Sequence, residues 1–228
     1  MPSTPSTLEV LHEDNHIIVV NKRVGDIVQG DKTGDRPLSD IVKEYIKINY
    51  NKPGEVFLGV VHRLDRPTSG IVVFARTSKA LSRLNDLFRN RDTKKTYWAV
   101  VTQQPPSESG LLKHYLVRNE KSNTSKAHLR EVPNSKEAIL EYRVIKKLDR
   151  YWVLEIDLHT GRHHQIRAQL SAIGCPIKGD LKYGASRSNP DGGIHLHARK
   201  LSFIHPVSKE FLEILAPVPQ QDSVWKAV

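Results

Sequence analysis

The chain has 228 residues, with 35 Lys and Arg against 25 Asp and Glu, a formal net charge of +10, and 38% hydrophobic residues. That composition supports a sizeable core and excludes a disordered chain, and the positive excess favours an anionic partner. The single cysteine, Cys175, rules out an intramolecular disulfide and a cysteine-rich zinc site, and no apolar run approaches the roughly 18 residues of a membrane span.

Residues 1–7, all Met, Pro, Ser and Thr, read as a loose tail ahead of a single domain over 8–228. "LEVLHEDNHIIVVNK" gives a short strand, a polar turn and a buried strand over Ile17–Val20, and "GDIVQGDKTGDRP" a loop round a short strand. Leu38, Ile41, Val42, Tyr45 and Ile46 recur at helical spacing, with Pro53-Gly54 closing that helix. Val56–Leu58 and Ile71–Ala75 read as buried strands. A second helix opens at Ser78 as N-cap and turns Leu81, Leu84, Leu87 and Phe88 inward.

"KKTYWAVV" is strand-like, and 111–158 holds several strands, with alternation clearest at Ala138, Leu140, Tyr142 and Val144. A short helix, "HHQIRAQLSAIG", puts Ile166, Leu170 and Ile173 on one face and stops at Gly174. "HLHARKLSF" and "FLEILAP" close the chain as strands, before a polar tail with Trp225. Strands outnumber helices without regular alternation. The expected fold class is α+β, a mixed, mostly antiparallel sheet flanked by helices with a central cleft.

Four groups of residues carry chemistry. In His62-Arg63-Leu64-Asp65-Arg66-Pro67-Thr68-Ser69-Gly70, a carboxylate sits between two arginines in a turn joining apolar runs. Paired positive charge favours the anion and leaves Asp65 available as nucleophile or base; a loop ion pair stapling two strands is the alternative. "HTGRHHQIRAQLSAIGCPIKGD", residues 159–180, sets Arg162 just ahead of a helix, with Gln165, Arg167 and Gln169 along it. Arginine suits a carboxylate or phosphate; the alternative is a capped amphipathic helix with a wet face. Tyr97 or Trp98 could stack on an extruded base, although one of the two must face the core. His159, His163, His164, His195, His197 and His205 invite a metal reading, but the spacing is poor and His163 and His164 would point to different helix faces.

Together the first two stretches resemble the RluA family of RNA pseudouridine synthases. Residues 62–70 fit HRLDxxTSG at every fixed position, Thr160–Arg167 match TGRxHQIR, and Gly174–Gly184 match GxPxxGDxxYG. "HLHARKLSFIHP" is similar to the family's closing strand, and the resemblance runs from about residue 8 to about residue 215. Two departures stand out. Asn21-Lys22-Arg23 replaces an NKP-type turn, and the S4-like RNA-binding domain of many members is expected to be missing.

The resemblance implies isomerisation of uridine to pseudouridine in a structured RNA, rRNA or tRNA, on a flipped nucleotide. It makes Asp65 the catalytic aspartate and Tyr97 the residue that stacks on the base. Arg162 becomes the ion-pair partner of Asp65, with Arg167 as second choice. His62, Arg63, Arg66, Lys95 and Arg167 form the expected RNA-contacting set, and Lys94, Arg118, Lys121 and Lys126 are further candidate contacts. It implies no cofactor, no metal, no membrane and no obligatory protein partner, in a cytoplasmic monomer. The rival readings are a non-catalytic RNA-binding relative and a metal-dependent nuclease built on Asp65, Asp180 and the histidines.

Overall fold

The computed structural model describes residues 2–31 and 33–228. In chain order the elements are β1 (Val10–Glu13), β2 (Ile17–Lys22), α1 (Leu38–Asn49), β3 (Gly59–Val60), β4 (Ser69–Ala75), α2 (Ser78–Asn90), β5 (Thr93–Val101) and β6 (Ser109–Asn119). Then follow β7 (Thr124–His128), β8 (Lys136–Lys147), β9 (Trp152–Leu158), α3 (Gln165–Ala172), β10 (Leu196–Ile204), β11 (Phe211–Leu215) and α4 (Ser223–Lys226). The chain forms two compact units, one of Met1–Thr93 with Ala198–Gln220, the other of Lys94–His197 with Gln221–Val228.

In the first unit the strand order is β1-β2-β4-β10, with β3 on β4 and β11 on β10. The pairings β1–β2, β2–β4, β3–β4 and β10–β11 are antiparallel. Every residue of β2 and of β4 is buried. A strand covered on both faces needs no polar alternation, so "IIVV" and "IVVF" read as continuous apolar runs. Ile18, Val20, Val72 and Phe74 meet Leu38, Val42 and Ile46 of α1 in one core cluster.

Among its described residues, the segment before α1 forms no strand. Instead the carbonyls of Ile27 and Val28 accept the N–H groups of Leu38 and Ser39 at 2.7 and 3.2 Å, satisfying donors that a helix start leaves open. Val56–Leu58 also differs from expectation. Only Gly59–Val60 pairs as a strand, while Val56 and Leu58 pack on the α1 cluster. The cap of α2 is Thr77 rather than Ser78, its side chain accepting Ala80 N–H at 3.2 Å. Ser3 ties down the N-terminal segment, donating its N–H and hydroxyl to Asp26 at 2.9 and 2.6 Å.

In the second unit the order is β5-β9-β8-β6-β7, antiparallel throughout. One face carries Ala99, Leu112, Leu140, Tyr142, Leu154 and Ile156 against Ile166 and Leu170 of α3. The α+β class and the antiparallel sheet flanked by helices are therefore as expected. The C-terminal tail is not simply polar. Trp225 is 4% exposed and stacks on His195 at 5.2 Å, while Asp222 Oδ1 accepts the Val224 and Trp225 N–H groups and His195 Nε2–H. Among the described residues no helix is long and apolar enough to cross a membrane.

Candidate active site

In the first unit, the turn between β3 and β4 holds residues 61–68 and closes with a Thr68 N–H to Asp65 carbonyl bond of 3.0 Å. Each side chain of the turn has its own direction. Leu64 packs on the α1 cluster, Arg63 is exposed, and Asp65 is part-exposed. His62 Nε2 accepts Val73 N–H at 3.1 Å and the ring stacks on Phe88 at 4.7 Å, fastening the turn to β4 and α2. These contacts make His62 a packing and hydrogen-bonding member of the turn.

Arg66 also differs from expectation. Its place next to Asp65 in the sequence suggests a counter-charge for that carboxylate. Its guanidinium instead donates to Thr33 Oγ1 at 2.8 Å and Asp35 Oδ2 at 2.6 Å, with Asp31 at 4.0 Å. The loop of residues 31–35 supplies two carboxylates that draw it away.

The cation beneath the turn is Lys22. It is 1% exposed at the end of β2, and its ammonium donates to the carbonyls of Arg23, Arg66 and Thr68 at 3.0, 3.2 and 2.6 Å. Two of those carbonyls follow Asp65 in the turn, and Gly25 N–H holds the Arg66 carbonyl as well at 3.0 Å. Burial pushes the Lys22 pKa down from 10.5 to about 7, against the pull of the Asp26 and Asp65 carboxylates. Sequence reasoning noted the Asn21-Lys22-Arg23 turn only as a departure and missed this role. The available signal was a lysine directly following five buried strand residues.

Gly70 completes the turn's exit at φ +114°, where a Cβ would lie 2.4 Å from the Ala198 carbonyl oxygen. Only glycine lets β4 and the Ala198 backbone approach so closely.

In the second unit the Thr160–Gln165 segment is sewn onto β8. Thr160 Oγ1 accepts Ile139 N–H at 2.8 Å and donates to Gln165 Oε1 at 2.7 Å. Gln165 Oε1 also accepts Arg162 N–H at 3.0 Å, and its Nε2 donates to the Ile139 carbonyl at 3.0 Å. Arg162 Nε donates to the Glu137 carbonyl at 3.0 Å. His164 adopts the left-handed conformation, φ +52°, so α3 starts at Gln165, two residues later than the run of side chains suggests.

The polar positions of α3 form no wet face. Gln165, Arg167 and Gln169 are all buried, and Gln169 Nε2 donates to the Leu112 and Ala138 carbonyls at 3.0 and 3.2 Å. Arg167 grips Asp180 through two nitrogens at 2.7 and 2.8 Å, with its guanidinium over the Tyr183 ring at 5.0 Å. That geometry makes Arg167 a buried anchor of the Gly179-Asp180 turn. It also occupies both oxygens of Asp180, which the nuclease reading needs as a metal ligand. Gly179, φ +90°, is required because a Cβ would meet Asn189 Nδ2 at 2.6 Å.

Tyr97 and Trp98 divide as alternation demands. Tyr97 lies across from Ile156 and packs on the α3 side, while Trp98 lies across from Glu155 and donates to it at 3.1 Å. Lys95 shares the Tyr97 side, its Nζ near Gly161, and Lys94 takes the far side with Asp157 at 3.3 Å. His163 and His164 stack on each other at 3.8 Å ahead of the helix instead of pointing to different faces of it. Among the described residues no group of three His, Cys, Asp or Glu side chains is placed to hold a metal ion.

Asp65, His62, Arg63 and Arg66 thus belong to the first unit, and Lys95, Tyr97, Arg162 and Arg167 to the second. A family model described as RNA pseudouridylate synthase matches residues 16–172. Ribosomal large subunit pseudouridine synthase D of Xylella fastidiosa is 33% identical, over 93% of this chain and 66% of its own length. The uncharacterized RNA pseudouridine synthase YlyB of Bacillus subtilis is 32% identical, over 95% of this chain and 71% of its own. The solved structure of human RNA pseudouridylate synthase domain containing 4 superposes with a TM-score of 0.79 at 26% identity, covering 93% of this chain and 89% of that one. The chain spans about two thirds of the length of the first of these curated relatives.

Proposed function

The chain belongs to the RNA pseudouridylate synthase family, and from that premise we propose that it is an isomerase converting uridine to pseudouridine in structured RNA, rRNA or tRNA. The reaction breaks the N1–C1′ bond, turns the base in place, forms C5–C1′ and releases the C5 proton. Nothing is oxidised and no fragment leaves, so the chemistry asks for no redox cofactor. A paired or stacked base hides its reactive edge, and the nucleotide is extruded first.

The observation that carries this reading is the Asp65 turn. Asp65 is part-exposed on a loop whose backbone is gripped immediately after it, at the Arg66 and Thr68 carbonyls, by a buried lysine. A carboxylate held this firmly is preorganised, either to attack C1′ or to take a proton from the ribose. A protein that merely bound RNA would gain nothing from an anion presented to a polyanion. Tyr97 is the residue that stacks on the flipped base, and Arg162 supplies the compensating cation, with Arg167 the second choice. Arg63, exposed beside Asp65, meets the phosphate of the flipped nucleotide or fills the space it leaves. The protein works as a monomer in the cytoplasm, where its one cysteine stays reduced.

The test is tritium release from RNA labelled at uridine C5, with chelator present, on total tRNA and protein-free rRNA separately. Wild type releases tritium from one pool and Asp65→Asn from neither, with unchanged folding. Salt-sensitive binding by both proteins with no release from either pool would favour a binding protein instead.

A further inference from the structure

The hairpin of β6 and β7 is fastened to the turn that opens α3. His163 Nδ1 lies 2.9 Å from Ser125 Oγ and its Nε2 3.1 Å from Asn123 Oδ1. Ser125 Oγ also reaches the His163 carbonyl at 2.8 Å. Ser125 N–H donates to Tyr183 Oη at 2.7 Å, and the same hydroxyl meets His164 Nδ1 at 2.9 Å. Ser125 is buried on the side of the sheet that α3 covers, two residues from Ala127, which packs with Ala168 of α3.

Residues directly opposite in an antiparallel pair point to the same face. Arg118 is opposite Ser125, and Lys126 is opposite Val117. Arg118 therefore stands on the α3 side, the side of Tyr97 and Lys95, and Lys126 on the other. The two sides differ in charge balance. On the far side Lys94 is paired with Asp157, Arg143 with Glu155 at 2.7 Å, and Lys113 with Glu137 at 2.7 Å. Arg118 is exposed near the end of a strand in a hairpin pinned by four hydrogen bonds.

We propose that the β6–β7 hairpin is a docking arm for the RNA backbone, in which Arg118 binds a phosphate of the substrate strand and the His163–Ser125–Asn123 contacts hold the arm in place. The inference rests on the isomerase reading and adds a binding element to it. Arginine's planar fork suits a phosphate, and a pinned hairpin presents it without the ordering cost of a loose loop. The face, and not the count of cations, decides which lysines and arginines take part.

The experiment titrates protein-free rRNA with wild type, Arg118→Gln, Lys126→Gln and Ser125→Ala across a salt series, and measures tritium release from the same RNA labelled at uridine C5. Arg118→Gln is expected to make the slope of log affinity against log salt shallower by about 0.7–0.9, one phosphate contact, raising KM several-fold at unchanged kcat. Lys126→Gln leaves slope and KM where they were. Ser125→Ala loses affinity with no charge removed, and Arg118→Gln added to it costs little more, the coupling that a shared element requires. An unchanged slope in Arg118→Gln, or an equal loss in Lys126→Gln, overturns the arm. An active wild type indifferent to Arg118 sinks the arm alone. A wild type silent in tritium release, whose binding still loses slope in Arg118→Gln, sinks the isomerase and keeps the arm.

Discussion

Replacing Lys22 by methionine removes a buried ammonium while keeping a side chain of similar length, and the structure sets both the size and the pH dependence of the result. The native pKa of about 7 stands against 10.5 in the unfolded chain. Between those values the unfolded chain holds a proton that the native protein has released, so native stability rises with pH across that window. At about 1.36 kcal/mol per unit, the step from pH 7 to pH 9 adds about 2.7 kcal/mol to the wild type. Lys22→Met lacks that increment. Losing the donor also strands the carbonyls of Arg23 and Thr68, each worth about 1–3 kcal/mol if left buried without a partner, while the Arg66 carbonyl keeps Gly25 N–H. Below pH 7 the removal of a costly buried charge offsets much of that loss. The assay is urea unfolding followed by tryptophan fluorescence, wild type against variant, at pH 6, 7 and 9. The variant should be most destabilised at pH 9, by roughly 2–3 kcal/mol more than at pH 7. A difference that stays constant with pH would refute the reasoning.

Gly70→Ala should cost more than about 4 kcal/mol, because a left-handed φ and a backbone clash with Ala198 cannot both be relieved; thermal unfolding or loss of soluble protein would show it. Asp180→Asn removes the carboxylate that two nitrogens of the buried Arg167 address, and should destabilise by about 3–5 kcal/mol in denaturant, a larger effect than any surface ion pair here would give. Asp222→Ala removes a cap that serves two N–H groups and the His195 ring, and should cost about 1–2 kcal/mol with a red-shifted emission as Trp225 loses its cover.

The parts of the fold that were legible in the sequence are those governed by short-range pattern. Ala138, Leu140 and Tyr142 alternate because one face of β8 lies under α3, and Leu38, Val42 and Ile46 recur because one face of α1 is buried. What escaped was polar and long-range. Gln165, Arg167 and Gln169 look like a solvated stripe, and nothing local reveals that their partners lie at residues 139, 180 and 112. Lys22 is invisible for the same reason, since two of its three acceptors are 44 and 46 residues away. The turn that carries Asp65 was legible because Pro67 and Gly70 mark it locally between two apolar runs. Arg66 misled because adjacency in sequence says nothing about direction, and its carboxylates sit 31 and 35 residues back in the chain.

The first unit is assembled from Met1–Thr93 and Ala198–Gln220, with β4 lying between β2 and β10. A ribosome making this chain therefore exposes one edge of a strand that is wholly buried in the finished fold for more than a hundred residues before its neighbour is synthesised. An unpaired edge of that kind is where nascent chains stick to one another. Folding should be slow to commit, dominated by the late arrival of β10, and dependent on a chaperone that shields Ile71–Ala75 in the interval. Shortened transcripts ending ahead of Ala198 should yield aggregates and not half-enzymes.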